Sequence, residues 1–175
     1  MSELMPQARA TSELCVLVAC SGFLVAIPVR CVSRLVLPDD VTGLDLRMEG
    51  PCLGTLRVDG EPYAGWDLGQ LLGVEPTDAS WVLLRVAYGG RTVAIALRTG
   101  ACLMVQPLRP ETSLPGTIFR ARGRAFPAAF DAAAVQGNMP TLFGVWLDPL
   151  HLLTAQELRL SDDLVAALVR RGSPS

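Results

Sequence analysis

A mostly β chain of small curled sheets, closed by one C-terminal helix, is predicted on three observations. Two-residue turns recur at Ser21-Gly22, Asp59-Gly60 and Gly89-Gly90. Each stands between apolar stretches, and residues that tolerate positive φ at both turn positions mark tight hairpins. The apolar stretches are short, about five residues with a turn every ~8–12, which is the spacing of small barrels rather than of a parallel sheet with helical crossovers. A helical period with start and stop signals is clearest at Ser161 to Arg171.

The elements follow in order. Residues 1–12 are polar and are expected to be loose. Leu14 to Cys20 is apolar at every alternate position on both sides, the pattern of a strand covered on both faces. Phe23 to Leu37 is rich in β-branched residues, but Pro28, Arg30 and Arg34 break it into two short strands or an edge strand. Pro38 to Gly54 carries Pro38, Gly43, Gly50 and Pro51 and reads as a loop or weak helix. Leu56 to Val58 and Glu61 to Ala64 flank the Asp59-Gly60 turn. Asp67 to Leu72 is one helical turn, capped by Asp67 and stopped by Gly73. Trp81 to Tyr88 and Thr92 to Leu97 form a second hairpin set, with Val93, Ile95 and Leu97 on one face, and Cys102 to Val105 continues it. Pro107 to Pro115 is a Pro-broken connector, and Ala128 to Asn138 is Ala-rich. Thr141 to Leu147 is a last strand, and Asp148 caps a turn at Pro149 to Leu153. In the C-terminal helix Ser161 caps, while Asp162 and Asp163 meet the positive end of the dipole. Arg170 and Arg171 meet the negative end, and Gly172 stops the helix. Its apolar stripe is Leu164, Val165, Leu168 and Val169.

Composition narrows the function classes. Of 175 residues 50% are apolar and 18% charged, with a mean hydropathy of +0.37, which excludes a disordered chain. A net charge of −2 is the wrong balance for a protein that binds nucleic acid by neutralising phosphates. All fifteen basic residues are Arg, so Schiff-base and P-loop lysine chemistry are out. His151 is the single His, which excludes any site with two His ligands. Cys15, Cys20, Cys31, Cys52 and Cys102 form no C-x-x-C pair and read as small buried hydrophobes in a reducing compartment. A thiol paired with His151 is the alternative, but no Cys stands in an electropositive turn. The acids lie in loops and caps rather than in a paired arrangement. Leu14 to Val29 is uncharged for sixteen residues, short of the roughly 20 of a membrane span. Leu17 to Cys20 looks like a lipoprotein cleavage box, but the apolar stretch before it is too short for a secretory signal, and a cytoplasmic protein is expected. Arg120, Arg122 and Arg124 form a basic row, read as a solvated edge or a docking patch for an acidic partner. Trp66, Trp81 and Trp146 read as core or barrel-mouth residues, with Trp66 also a candidate for a partner surface.

Four segments in order resemble the CheW-like family of bacterial chemosensory adaptors. They are "FLVAIPVRCVSRLVLP" at Phe23 to Pro38, "GTLRVDGEPYAGWDLGQLLG" at Gly54 to Gly73, Trp81 to Val105, and "LFGVWLDPLHLL" at Leu142 to Leu153. The resemblance covers about Leu14 to Leu153. It implies two five-stranded SH3-like β-barrels related by a pseudo-twofold axis, with a C-terminal α-helix. The expected divisions are a flexible 1–12, a single domain over 13–160 and a helix over 161–171. Barrel one would take about 22–80, and barrel two 13–20 with 81–155. It also implies a non-enzymatic adaptor without catalytic centre, cofactor or metal. Its partners would be a CheA-type histidine kinase, methyl-accepting chemoreceptor tips and other CheW-like domains, with no nucleic acid and no membrane insertion.

The same resemblance places the kinase side on Val32 and Gly54 with Cys31 and Leu56. It places the receptor groove on Val16, Val29 and Val32, with Leu14. Two charges depart from the family pattern: Arg34 stands where the family has a Glu, and Asp59 where it has an Arg. Both signs are reversed, so the residues are expected to form the same ion pair with partners exchanged. An adaptor with that reversal could serve another motility or signalling complex. Arg98 is a third departure, at a position where the family has Asp.

Overall fold

The computed structural model describes residues 11–45, 50–75, 80–114, 123–130 and 143–172. Among the described residues there are twelve strands: β1 (Glu13–Cys20), β2 (Phe23–Pro28), β3 (Val32–Val36), β4 (Val41–Asp45), β5 (Cys52–Val58), β6 (Glu61–Asp67), β7 (Ser80–Tyr88), β8 (Arg91–Thr99), β9 (Cys102–Leu108), β10 (Thr112–Ser113), β11 (Ala128–Phe130) and β12 (Phe143–Trp146). Two α-helices accompany them, α1 (Leu68–Leu72) and α2 (Ala155–Gly172). The strands form two curled six-stranded sheets. The central sheet runs β3-β7-β8-β6-β5-β4, and the terminal sheet runs β10-β11-β12-β2-β1-β9.

The two sheets repeat one pattern of strand directions. In each, the third and fourth strands pair in parallel, β8 with β6 and β12 with β2, and every other neighbour is antiparallel. All three predicted hairpin turns form. Their residues hold positive φ: Ser21 at 43° and Gly22 at 88°, Asp59 at 51° and Gly60 at 83°, Gly89 at 57° and Gly90 at 78°. That geometry follows the right-handed twist of the strands that each turn joins.

Three apolar layers explain why the strands are hydrophobic on both sides. Cys15, Leu17, Leu24, Ala26, Phe130 and Trp146 fill the inside of the terminal sheet. Val36, Leu53, Leu56, Val58, Trp81 and Leu83 fill the inside of the central sheet. The alternate residues of the same strands form a third layer between the sheets: Val16, Val18, Val25 and Ile27 from one, Val82, Leu84, Ile95 and Leu97 from the other. A strand that serves two layers must be apolar on both faces, as β1 is from Leu14 to Cys20.

Several boundaries differ from expectation. Each sheet has six strands, because β4 forms within the segment read as a loop and the two-residue β10 within the Pro-broken connector. The expected barrel boundaries do not coincide with the sheets. β2 joins the terminal sheet as the hairpin partner of β1, whereas β7 and β8 join the central sheet because β8 pairs with β6. Helix α2 begins at Ala155, not Ser161. A capping box starts it: Glu157 N donates to Thr154 Oγ1 at 3.2 Å, and Thr154 N donates to Glu157 Oε2 at 2.8 Å. Asp162 and Asp163 therefore lie within the helix, where Asp162 pairs with Arg91. Among the described residues no helix is long and apolar enough to cross a membrane.

Candidate functional site

The β3 strand builds the first candidate surface. A 3-10 turn at Val29–Cys31 carries the chain from β2 in the terminal sheet to β3 in the central sheet. A bulge follows between Val32 and Arg34, and then Arg34 sits opposite Leu83 and Leu35 opposite Val82. Leu83 belongs to the inside of the central sheet and Val82 to the layer between sheets. Arg34 therefore stands at the open mouth of the central sheet, above Val36, while Leu35 continues the inter-sheet face. The guanidinium of Arg34 meets the carboxylate of Asp59 at the β5–β6 turn, and both side chains remain solvent-exposed. The expected ion pair is present. Leu37, 66% exposed, stands just beyond the end of the strand.

Other residues assigned to the kinase side lie below that surface. Leu56 is fully buried, Cys31 is 7% exposed and Gly54 is buried, so none offers a side chain to a partner. Val32 is half-buried. Gly54 acts through the backbone: its φ is 98°, and a Cβ there would lie 2.1 Å from the Asp45 carbonyl oxygen. Only glycine lets β4 cross β5 so closely. These positions shape the surface from underneath.

The rim of the inter-sheet layer is the second candidate surface. Val16 forms its floor at 2% exposure, so it supports the groove rather than lining it openly. Val29 and Val32 are half-buried and pack against that layer. Leu14 and Val105 stand at the edge, 48% and 49% exposed, on adjacent strands β1 and β9. The register Cys15–Pro28 puts Leu14 next to Val29. Val105, Leu14, Val29, Val32 and Leu35 thus follow one another along an open apolar rim. Glu13 and Arg30 pair beside it.

A buried charged cluster was not anticipated. Asp67 is fully buried. Its Oδ1 accepts from Gln70 N at 2.9 Å, which caps α1, and its Oδ2 accepts from Arg98 Nε at 2.9 Å. Asp67 and Arg98 face each other in the β6–β8 ladder, and the guanidinium lies 5.9 Å from the Trp81 ring centroid. The sequence shows each half separately, Asp67 as a cap and Arg98 as a departure from the family. Only the parallel register joins them. Trp66 is not a partner-surface residue: it is fully buried, and its Nε1 donates to Ser161 Oγ at 3.0 Å.

The thiols and His151 stand in different surroundings. Burial pushes the Cys15 and Cys20 thiols up to about 12, and raises Cys31, Cys52 and Cys102 as well. A nucleophilic cysteine needs the opposite shift. His151 Nδ1 lies 2.7 Å from Asp148 Oδ2, in a turn that Asp148 caps through Leu150 N. Among the described residues no three His, Cys, Asp or Glu side chains converge on a metal position. Arg124 is exposed, while Arg120 and Arg122 lie outside the described residues.

No protein-family model and no curated protein sequence matches the chain. Its structure is similar to that of the scaffolding protein TtCheW from Thermoanaerobacter tengcongensis, with a TM-score of 0.57 and 9% sequence identity. The likeness covers 87% of this chain and 95% of that one. Paired curled sheets, a shared apolar layer and a C-terminal helix give this chain a CheW-like fold.

Proposed function

We propose that the protein is a non-enzymatic adaptor of a bacterial chemosensory complex, cytoplasmic, which couples chemoreceptor tips to a CheA-type histidine kinase. The observation that carries this reading is an open apolar rim between two sheets whose own interiors are filled. Leu14, Val105 and Leu35 leave 40–49% of their surface to solvent beside a closed core. An apolar helix end, such as a receptor tip, is the kind of ligand that covers such a row. The central sheet around Gly54, with Arg34, Asp59 and Leu37 at its mouth, is the kinase side. Holding both partners raises their effective concentration for one another.

The exchanged charges of Arg34 and Asp59 favour one second reading, in which the same fold serves another motility or signalling complex, or another CheW-like domain. Calorimetric titration separates the two. The probes are the regulatory domain of a CheA-type kinase and a receptor-tip fragment from the same genome. Leu14→Asp should abolish binding of the receptor fragment and leave the kinase domain bound. Arg34→Asp should do the reverse. Binding of neither probe to the unaltered chain would refute the chemosensory reading and favour the second.

A further inference from the structure

The C-terminal helix is held unevenly along its length. Its first half is anchored. Leu158 is 2% exposed, Ser161 is 1% exposed, Trp66 Nε1 donates to Ser161 Oγ, and Ser161 Oγ donates to the Glu157 carbonyl at 2.9 Å. From residue 162 to 172 no residue is buried. This second half lies across β4 and β5, yet it does not close on them. A cleft of about 290 Å3 remains, walled by Leu164, Ala167, Leu168 and Arg171 on the helix. Gly43, Asp45, Gly54 and Thr55 form the strand side. Two of those four have no side chain, so the covered patch is flat. A helix seated closely along its whole length would leave no such cleft, which here opens to solvent. The patch also includes β4, the edge strand of the central sheet, and it reaches Gly54, the position around which the kinase side was placed.

We infer that residues 163–172 are a displaceable cover over the β4–β5 patch, and that the kinase-side partner docks on this patch once the cover lifts. The identity of the partner rests on the adaptor reading; the cover does not. Lifting it leaves the Ser161 anchor and the capping box in place and exposes a face of which no residue is fully buried. Local opening of this kind lies well below global unfolding in free energy.

Thiol labelling in the full-length chain tests the cover. Thr55→Cys puts a reporter in the cleft, at a position 8% exposed. Cys15 and Cys20, both fully buried, report opening of the whole fold in the same sample, read site by site by mass spectrometry. The T55C thiol should label at least about tenfold faster than Cys15 and Cys20, and at least about tenfold slower than an unfolded peptide. Adding Ala167→Asp and Leu168→Asp, which charge the underside of the helix, should bring it close to the peptide rate while Cys15 and Cys20 stay protected. Labelling of T55C at the rate of Cys15 and Cys20 would overturn the inference, since the helix would then open only with the whole fold. Labelling at the peptide rate without the added charges would also overturn it, since nothing would be covered.

Titration of the kinase regulatory domain decides what the cover does. The A167D/L168D chain should bind at least about fivefold more tightly than the unaltered chain. Equal or weaker binding would overturn the competition between helix and partner. If neither chain binds while labelling behaves as stated, the adaptor reading falls and the cover stands.

Discussion

The Asp67–Arg98 and Arg34–Asp59 pairs use the same two side-chain types on the same sheet, and differ in where they stand. Asp67 is fully buried and Arg98 is 18% exposed, whereas Arg34 and Asp59 are 43% and 66% exposed. The buried carboxylate is held from two sides, by the Gln70 N–H of α1 and by Arg98, and the guanidinium has the Trp81 ring as a further neighbour. Neither charge can be removed alone without leaving the other in a poorly solvated site. The exposed pair has water as a ready substitute for either partner, so it adds little to folding. One pair is fixed by the fold; the other is available to be exchanged, as its sign relative to the CheW-like pattern suggests.

Removing one buried partner should have the largest effect. Asp67→Ala loses the helix cap and strands Arg98, and should lower stability by about 3–5 kcal/mol in urea denaturation. Arg98→Met, which keeps the stem over Trp81, should cost nearly as much, because it leaves the Asp67 charge buried. A cost under about 1 kcal/mol for either would show that the pair is not structural.

The second effect is on β4. Gly54→Ala should cost more than about 1 kcal/mol, since its φ of 98° and the Asp45 carbonyl both reject a Cβ. It should also weaken kinase-domain binding without altering any exposed side chain. Unchanged stability would mean that β4 moves aside freely.

Alkali sharpens the comparison through Cys20. Burial raises its thiol from 9.0 to about 12, and the nearby Asp67 charge adds to the rise. Cys15 is raised to about 12 as well. The folded values lie above the unfolded value, so the stabilisation is complete below pH 9 and is lost as pH climbs from about 9 to 12. Urea midpoints measured over that range should fall, and should fall less steeply in the Cys15→Ala, Cys20→Ala double variant. Equal slopes would show that these thiols do not control alkaline stability.

Exchanging the exposed pair should matter least to the fold. Arg34→Asp with Asp59→Arg should leave the urea midpoint within error of the unaltered chain, while affinity for a CheA-type regulatory domain rises toward the ordinary family pattern. A large loss of stability would place this pair with the buried one.

Local signals were legible in the chain and non-local ones were not. The three hairpins could be read because positive φ at both turn residues is a property of two adjacent side chains. Asp67 and Gly73 bracket α1 for the same reason. Thr154-Ala-Gln-Glu157 carries the true start of α2, but Ser161-Asp162-Asp163 imitates a helix start and sets the expected boundary six residues too late. β4 was missed because a bulge breaks its ladder with β5 and its side chains show no clear alternation. The sharing of β7 and β8 with the central sheet depends on parallel pairing to β6, which no short window contains. Within the site, the positions of Arg34 and Asp59 are legible along two short segments, and the two side chains meet as expected. Val16 and Leu56 were placed toward partners and lie in the core. On strands apolar at every position, alternation cannot say which side meets water.

Sedimentation velocity of the full chain mixed with both a CheA-type regulatory domain and a receptor-tip fragment tests the two-faced adaptor most directly. A single species containing one copy of each is predicted, with Leu14→Asp releasing the receptor fragment and nothing else. Mutual exclusion of the two fragments, or release of both by that one substitution, would contradict it.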